Sequence, residues 1–268
     1  MTPAALTAHV IGIGLAGPGL TDWSLAAPIL AGERPYQPAP TVLPVIETLP
    51  PAERRRTGTT VRLAIAVAQQ AVGAAGIDPT ALSTVFASSG ADGAICHEIC
   101  LTLATEDRQL SPTRFHNSVH NAAAGYWSIA MKAMARSSAL CAFDGSFAAG
   151  LLEAIAQVAV DGEPVLLAAY ETGYPEPLHQ KRPLPDAFGV ALLLAPRPGT
   201  GAHARITVSL TDAPAEPLPE GPLEALRTCA PAARSLPLLR HLARAQSGGV
   251  VIDYLDNLRM HIEVSACR

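Results

Sequence analysis

The chain has 268 residues, of which 49% are hydrophobic and 16% are charged, and this composition excludes wholesale disorder because it provides enough apolar side chains for a large core. A formal net charge of −4 argues against nucleic acid or an anionic membrane surface as the main partner. No uninterrupted apolar run reaches the roughly 18 residues that span a membrane, and the first residues lack the basic stretch of a signal peptide, so we expect a cytoplasmic protein without a membrane span.

Short apolar runs alternate with helix-like segments along most of the chain. The predicted strands are at 9–15, 84–88, 138–143, 164–170, 189–194 and 204–210. The predicted helices are at 22–32, 52–76, 91–105, 119–135 and 147–160. After Pro196 we predict a proline-rich stretch at 213–222, two short helices at 223–228 and 236–245, and a hairpin at 250–264 that turns at Asp256-Asn257.

The strands are apolar along their whole length, which indicates a sheet that is covered on both faces. Their alternation with helices is typical of a parallel arrangement. We therefore predict an α/β protein with a mostly parallel five-stranded sheet and helices on both faces. Residues 1–200 are expected to form the main domain, and residues 201–268 a short α+β extension packed on it.

The segment from Gly12 to Gly17 matches the GxGxxG pattern of dinucleotide-binding folds. In those folds the third glycine leads into a helix whose N-terminus faces a pyrophosphate. Here Pro18 and Gly19 follow, and the acidic residue at a suitable distance, Glu33, lies in a proline-rich stretch instead of at a strand end. The pattern favours a glycine turn that closes a core strand over a dinucleotide-binding oxidoreductase.

The five cysteines do not form an even disulfide framework, and only Cys96-His97-x-x-Cys100 has a spacing that suggests a metal site. A zinc site needs further ligands, and none is evident in the sequence. On a helix, Cys96 and Cys100 share an apolar face with Ile99, so we predict buried, inert thiols. We expect no bound metal and no cofactor.

The densest polar segment of the chain runs from His116 to Asn121, just ahead of a predicted helix. Its two imidazoles (His116 and His120) and two amides (Asn117 and Asn121) are able to bind a carboxylate, to position a thioester carbonyl or to cap the helix. Considered locally, the segment favours capping through Ser118 and loop hydrogen bonds.

Asp144-Gly145-Ser146 stands where a strand turns into a helix, which is where many enzymes present a nucleophile. The sequence GSFAAG around Ser146 lacks the GxSxG pattern of hydrolases, and nothing pairs Ser146 with a histidine and an acid. We favour Asp144 or Ser146 as a helix cap. The basic loop at residues 179–182 is interpreted as solvated.

Taken in order, these pieces resemble the N-terminal half of the β-ketoacyl synthase family, which has the thiolase fold. The resemblance covers residues 8–210 and depends on ordered phrases. The matching phrases are HVIGIGLAGPG (9–19), DWSLAAPILAGERPY (22–36), ERRRTGTTVRLAIAVAQQAVGAAGID (53–78), TVFASSG (84–90) and FHNSVHNAAAGYWSI (115–129), the last with the family's Asn-x-x-Ala-Gly at Asn121, Ala124 and Gly125. From residue 137 to Glu171 the strand, nucleophile turn, helix and strand also follow the family order. The resemblance implies a thiolase-like α/β fold, half of a ketosynthase.

Two departures from the family bear on activity. Counting back from Glu171, the family's catalytic cysteine falls on Phe143, or on Asp144 if the register shifts by one, and neither side chain forms a thioester. Cys141 is near, but we expect it inside the preceding strand and not on the exposed turn. The family's two further catalytic histidines have no matching phrase in the short segment after Leu210. The resemblance therefore implies a chain that is not an enzyme by itself.

Without a nucleophile, the chain is similar to the chain-length factors of type II polyketide synthases. The phrase SPTRFHNSVHNAAAGYWSIA (111–130) resembles the short factors of aryl polyene and xanthomonadin-type pigment clusters. This resemblance implies a heterodimer with a homologous active ketosynthase, which an acyl carrier protein supplies with fatty-acid-like chains. The alternative is a self-sufficient acyl transferase or hydrolase that uses Ser146 or Cys141.

The resemblance also implies where the partner binds. The strand at 138–143 would pair antiparallel with its counterpart across the dimer, because an apolar sheet edge is otherwise a site of aggregation. The helix at 91–105 and the segment at 116–121 would line the partner's acyl tunnel, with Phe143 as a plug. The implied tunnel and interface residues are Cys96, Ile99, Cys100, His116, Asn117, His120, Asn121, Ser138, Leu140 and Phe143.

Overall fold

The structure, a computed structural model, describes residues 6–267, and within this range the chain forms one eight-stranded sheet with helices on both faces. Residues 1–5, on which the signal-peptide expectation partly depends, lie outside the described range. The strands are β1 (Leu6–Ala16), β2 (Ser83–Ala87), β3 (Ser137–Leu140), β4 (Val165–Glu171), β5 (Phe188–Ala195), β6 (Ala204–Thr211), β7 (Gly248–Leu255) and β8 (Leu258–Ala266). The helices are α1 (Trp23–Ala31), α2 (Pro51–Arg56), α3 (Thr59–Ala75), α4 (Gly93–Leu103), α5 (Pro112–Asn117), α6 (Ala122–Met131), α7 (Ser146–Asp161), α8 (Leu178–Lys181), α9 (Pro222–Cys229) and α10 (Leu236–Ala243).

The strand order is β3-β2-β4-β5-β1-β6-β8-β7, so β3 and β7 are the edges of the sheet. Among the described strands only β2–β3 and β2–β4 pair in parallel, and the other five pairs are antiparallel. The α/β class is confirmed, but the expectation of a mostly parallel five-stranded sheet is wrong. The connection from β4 to β5 contains only the four-residue helix α8 and is too short in regular structure for the crossover that parallel neighbours need.

The helix predicted at 52–76 is two helices, α2 and α3, which are separated at Thr57 and Gly58. Both residues have extended backbone conformations, which end α2 before α3 begins at Thr59. Gly58 also lies tightly against the next segment, since a Cβ built on it would stand 2.9 Å from Oδ2 of Asp92. The helix predicted at 119–135 is likewise shorter, because Lys132 takes a left-handed conformation and ends α6. Helical periodicity continued across both sites and did not indicate these breaks.

The central strands β4 and β5 are buried on both faces, as their continuous apolar sequences predicted. The strands β6, β7 and β8 instead combine buried residues with more exposed ones, so the prediction of two covered faces is wrong for this side of the sheet. Every residue of β4 is buried, and successive residues face opposite clusters of the core. One cluster includes α7 and the helices near the C-terminus, and the other includes α3 and α6. The segment Phe143–Asp161 has the length and hydropathy of a membrane-spanning helix, and just over half of it (56%) is buried within this fold, as in a core helix.

Residues after 200 continue the same sheet. β6 pairs with β1, and the hairpin formed by β7 and β8 follows it. The predicted hairpin turn at Asp256-Asn257 is confirmed, because Leu255 pairs with Leu258 across it. At the start of α1, the Asp22 carboxylate accepts a hydrogen bond from the backbone N–H of Leu25 at 3.0 Å and so caps the helix.

Two glycines of the GxGxxG pattern, Gly12 and Gly14, serve helix–strand packing inside β1. The prediction of a glycine turn is therefore wrong for them and holds only for Gly17, which follows β1 and pairs with Leu20 across a turn. Gly12 and Gly14 lie inside β1, where α3 crosses so closely that a Cβ on Gly14 would stand 1.9 Å from the carbonyl oxygen of Val67. A Cβ on Gly12 would stand 2.1 Å from the carbonyl oxygen of Ala71. The pattern therefore allows a helix to contact the backbone of a core strand and does not form a phosphate-binding turn ahead of α1.

We expect Gly14→Ala to lower the free energy of unfolding by about 3 kcal/mol, because the added methyl group forces α3 away from β1. Gly73→Ala is the matched control, since it lies in α3 with no described neighbour within 4 Å of the added Cβ. It should raise the free energy of unfolding by up to about 1 kcal/mol through helix propensity. Urea unfolding measures both values, and equal effects of the two substitutions would contradict the close contact.

Candidate functional site

The parallel strands β2, β3 and β4 end at the same side of the sheet, and the segments that follow them form the candidate site. Ser88 and Ser89 follow β2, Cys141 follows β3, a short turn at Phe143–Gly145 leads into α7, and β4 ends at Glu171. In α/β folds the carboxyl ends of parallel strands are the usual place for ligand-binding and catalytic groups.

Phe143, the residue expected at the nucleophile position, opens the turn ahead of α7. Its φ of +49° lies in the left-handed region, which costs a residue with a side chain about 1–2 kcal/mol. The Phe143 side chain is 63% exposed, and the guanidinium carbon of Arg182 lies 4.1 Å from its ring centroid in a cation–π contact. The ring is thus held on the outside of the chain.

Asp144, the alternative nucleophile position, lies between two arginines. The Nη2 atom of Arg182 is 2.5 Å from Oδ1 of Asp144, and the Nη2 atom of Arg234 is 3.0 Å from Oδ2. All three side chains are partly buried, so the carboxylate ties the turn to two distant segments. The interpretation of residues 179–182 as a solvated loop is therefore wrong for Arg182.

The turn packs beneath the C-terminal hairpin. Gly145 allows this approach, because a Cβ on it would stand 2.1 Å from the carbonyl oxygen of Tyr254 in β7. A cavity of about 770 Å³ lies between residues 142–145 and the tip of the hairpin, and its walls include Arg234 and Arg259. Arg259 donates to the carbonyl oxygens of residues 255 and 256, so it stabilises the hairpin turn.

Ser146 is buried and its hydroxyl is used by the turn itself. Its Oγ donates to the carbonyl oxygen of Phe143 at 2.7 Å and accepts from the backbone N–H of Ala142 at 3.1 Å. The N-cap position of α7 is Gly145, with no side-chain capping bond in the described chain, so the expectation that Asp144 or Ser146 caps this helix is wrong. The two bonds of Ser146 stay within the turn and give its hydroxyl no adjacent base of the kind that activates a serine nucleophile.

Cys141 lies after the end of β3, so the expectation that it stands inside the strand is wrong. It is exposed, and its Sγ donates to the carbonyl oxygen of Ser89 at 3.2 Å. The ring of His120 contacts the neighbouring carbonyl, with Nε2 3.0 Å from the oxygen of Ser88. Both side chains therefore approach the backbone that follows β2, and neither is at the tip of α7.

Glu171 is a functional-site residue that the sequence analysis did not single out. It is buried at the end of β4, and its carboxylate accepts from the Ser89 backbone N–H at 2.6 Å and from the Ser89 hydroxyl at 2.7 Å. Burial raises the pKa of Glu171 to about 7, and the hydrogen bonds from Ser89 oppose this rise. The hydroxyl of Tyr174 lies 3.2 Å from that of Ser89. Glu171 thus fixes the segment after β2 to the end of β4.

The segment from His116 to Asn121 is not a single loop, because its first two residues end helix α5. The Asn117 side chain donates to the carbonyl oxygen of Arg56 at 2.8 Å and accepts from the Tyr126 hydroxyl at 3.0 Å, and His116 stacks edge-on against Tyr126. Capping of the next helix through Ser118 is wrong: its Oγ donates to the carbonyl oxygen of residue 115. The N-cap position of α6 is Asn121, whose side chain makes no capping bond within the described chain.

None of the residues of α4, all of which the structure describes, is buried. Cys96 and Cys100 are exposed, so the prediction of buried thiols is wrong. Among residues 6–267 no cluster of three or more metal-ligating side chains forms. Large apolar side chains are exposed on α4 and on the segments that follow it, namely Leu101, Leu103, Phe115, Val119, Ile129, Met134 and Phe143.

The candidate residues thus lie in four different parts of the structure. His120 lies near the strand ends, where Phe143 also stands, while Asn117 is part of the α2–α5 junction. Ser138 and Leu140 lie in the edge strand β3, and Ser138 receives a long hydrogen bond (3.4 Å) from the Gln157 side chain. The remaining candidates, Cys96, Ile99 and Cys100, lie on the surface helix α4.

A family model described as the N-terminal domain of β-ketoacyl synthase matches residues 31–250. The chain is similar to a ketosynthase in complex with its chain length factor from Xenorhabdus doucetiae, with 22% identity and a TM-score of 0.73 over 96% of this chain and 99% of that chain. The ishigamide ketosynthase/chain length factor has 15% identity and a TM-score of 0.73 over 98% and 100%. A β-ketoacyl synthase from Burkholderia phymatum STM815 has 12% identity and a TM-score of 0.62 over 90% and 71%. No curated protein matches the chain.

We expect Glu171→Gln to change how stability depends on pH. The folded pKa of about 7 lies above the ordinary value of 4.5, so the native state binds more protons than the unfolded state between these values. The stabilisation that protonated Glu171 provides is complete below about pH 4.5 and is lost as the pH rises to about 7. Glutamine accepts from the Ser89 N–H through its amide oxygen, donates from its amide nitrogen to the Ser89 hydroxyl oxygen, and does not titrate.

Between about pH 4.5 and 7, the wild-type chain should therefore lose on the order of 2 kcal/mol of unfolding free energy relative to the Gln variant. Urea unfolding across this range measures the difference, and Glu163→Gln, at an exposed site, is the control. Parallel pH curves for wild type and Glu171→Gln would show that the buried carboxyl does not titrate in this way.

Proposed function

The chain belongs to the β-ketoacyl synthase family, and on this premise we propose that it is a non-catalytic chain-length factor that forms a heterodimer with an active ketosynthase in the cytoplasm. The observation that carries the proposal is Phe143 at the turn where the family resemblance expects the nucleophile. Condensation requires a thiolate to hold the acyl chain, together with groups that stabilise the developing oxyanion. A phenyl ring provides neither.

The edge strand β3 supports the proposed heterodimer. The carbonyl oxygens of Arg136 and Leu140 accept from Thr84 and Ser88, so these alternate residues face β2. The intervening residues, Ser137 and Ala139, therefore direct their N–H and C=O groups away from β2, towards an edge with no further strand in residues 6–267. An open edge of this kind, in the four-residue strand Ser137–Leu140, is available for antiparallel pairing with a second sheet.

The helices beside this edge support the same partner. α4 is apolar but covers no core in this chain, and an ion pair of 2.9 Å between Glu98 and Arg114 holds it against α5. Leu101 in α4 is 56% exposed and Phe115 in α5 is 61% exposed, and large apolar side chains exposed on two helices that contact each other are typical of protein interfaces. We infer that Cys96, Ile99 and the rest of the apolar face of α4 contact the partner.

In this proposal the chain affects product length by its shape. The exposed ring of Phe143 and the outer face of α4 would limit the space at the end of the partner's acyl tunnel, so the chemistry belongs to the partner subunit. Acyl chains arrive on an acyl carrier protein that the complex binds, for a type II polyketide of the aryl polyene class or a related fatty-acid-like product. Residues 201–268, which extend the sheet, would stabilise the first 200 residues as a packed extension.

We test the heterodimer with Ala139→Pro, measured as co-purification with the ketosynthase from the same gene cluster. Proline removes the outward N–H of the edge strand, and its ring is tolerated there because the β2 ladder does not use that group. Ala139→Thr is the matched control, because it adds a side chain at the same position and keeps the N–H. We expect a 1:1 complex by light scattering for wild type and Ala139→Thr, and at least a tenfold weaker complex for Ala139→Pro, about 1.4 kcal/mol.

Circular dichroism and thermal unfolding of both variants show that loss of the complex is not loss of folding. If the wild-type chain stays monomeric beside its ketosynthase, the heterodimer is wrong. If Ala139→Pro and Ala139→Thr bind equally well, the interface does not use this strand.

The self-sufficient acyl transferase or hydrolase is the second candidate function, and the exposure of Cys141 is the observation that favours it. Our proposal predicts that the chain alone keeps its mass when it is incubated with an acyl-carrier thioester, because no activated nucleophile attacks the thioester. Intact-mass spectrometry measures this, with the active ketosynthase as positive control. A mass increase equal to the acyl group that disappears in Cys141→Ser or Ser146→Ala would support the alternative.

A further inference from the structure

A second cavity lies on the side of the fold formed by α1 and α10. It has a volume of about 280 Å³ and lies between the end of α1, the loop at Tyr36 and the segment that leads into α9. Its walls are largely apolar and include Ile29, Leu218 and Leu223. Within the described chain it shares no lining residue with the cavity beside the turn at Phe143–Gly145, so it is a separate site.

One charged side chain stands out in the wall of this cavity. Arg240, in α10, is partly buried, and its guanidinium makes no hydrogen bond or ion pair with any residue from 6 to 267. Burial lowers the pKa of Arg240, and the positive charge of Arg244 adds to this effect. Arg244 is already engaged, because its Nε donates to the carbonyl oxygen of Ala31 at 3.0 Å.

The nearby carboxylates do not neutralise Arg240. Glu220 lines the same cavity and Glu216 lines the adjoining one, but both are exposed and neither forms an ion pair with Arg240. Two described arginines, Arg240 and Arg244, line these cavities. Arg244 donates to the carbonyl oxygen of Ala31, whereas all the guanidinium donors of Arg240 lack a partner within residues 6–267. The half-buried guanidinium of Arg240 lines the cavity and makes no hydrogen bond or ion pair within residues 6–267, so a ligand carboxylate is able to accept two parallel hydrogen bonds from it.

We propose that this cavity binds a small monocarboxylate with an apolar tail, such as a short-chain fatty acid. The carboxylate pairs with Arg240, and the alkyl tail packs against Leu218 and Leu223. The volume lies at the lower end of the range of small-molecule sites, which limits the tail to a short chain. The site is independent of the proposed heterodimer, because it uses neither β3 nor α4.

Isothermal titration of the full-length chain with hexanoate tests the proposal. We expect saturable binding at one site, and at least tenfold weaker binding to Arg240→Gln. Arg205→Gln, at an exposed position in β6, is the matched charge control and should bind hexanoate as the wild type does. Hexanol has the same tail without the charge, and we expect it to bind at least tenfold more weakly than hexanoate.

A second variant separates the cavity from the charge. Leu223→Trp fills the cavity and leaves Arg240 in place, so it should abolish hexanoate binding, and its melting temperature shows whether it folds. Three results would each overturn the proposal: no saturable hexanoate binding, equal binding by Arg240→Gln and wild type, or equal binding of hexanol and hexanoate. None of these results bears on complex formation with a ketosynthase, which is measured separately.

Discussion

The pairing of Glu171 with Ser89 is the interaction on which the candidate site depends. It joins the end of β4 to the segment after β2, and both lie beside the turn that begins α7. The carboxyl group is buried and receives two hydrogen bonds, so it sets the relative position of two parallel strands at the side where the site forms. The same segment contacts the end of β3, because the Ser88 N–H donates to the carbonyl oxygen of Leu140 and the Cys141 thiol donates to that of Ser89, each at 3.2 Å.

Much of the fold follows from local sequence. β4 and β5 are apolar along their whole length because both of their faces are buried. The start of α1 is marked by Asp22, whose side chain makes the hydrogen bond that is typical of an aspartate N-cap. Strand direction was harder to predict. The polar loop between β4 and β5 contained no crossover helix, which is a signal for antiparallel pairing, but the overall alternation of strands and helices favoured the parallel interpretation.

The candidate site was less predictable because its contacts join distant residues. Asp144 pairs with Arg182, 38 residues later, and with Arg234, 90 residues later, and no local spacing encodes either pair. The cysteines of α4 show a related difficulty. The spacing of apolar residues identifies the face of α4 that carries Cys96 and Cys100, but it does not indicate which part of the protein covers that face. In the described part of the chain, no residue of α4 is buried.

The turn at Phe143 brings these observations together. A left-handed backbone at a phenylalanine is unfavourable, yet the chain stabilises it with a cation–π contact from Arg182 and two ion pairs to Asp144. If the turn does no catalysis, as the proposed function holds, its unfavourable shape has another use. Under the proposed function that use is mechanical: the turn follows directly from β3, so its geometry sets where the edge strand ends and where the Phe143 ring meets the partner. On this argument the family fold can lose its nucleophile and still require the backbone geometry that once presented it.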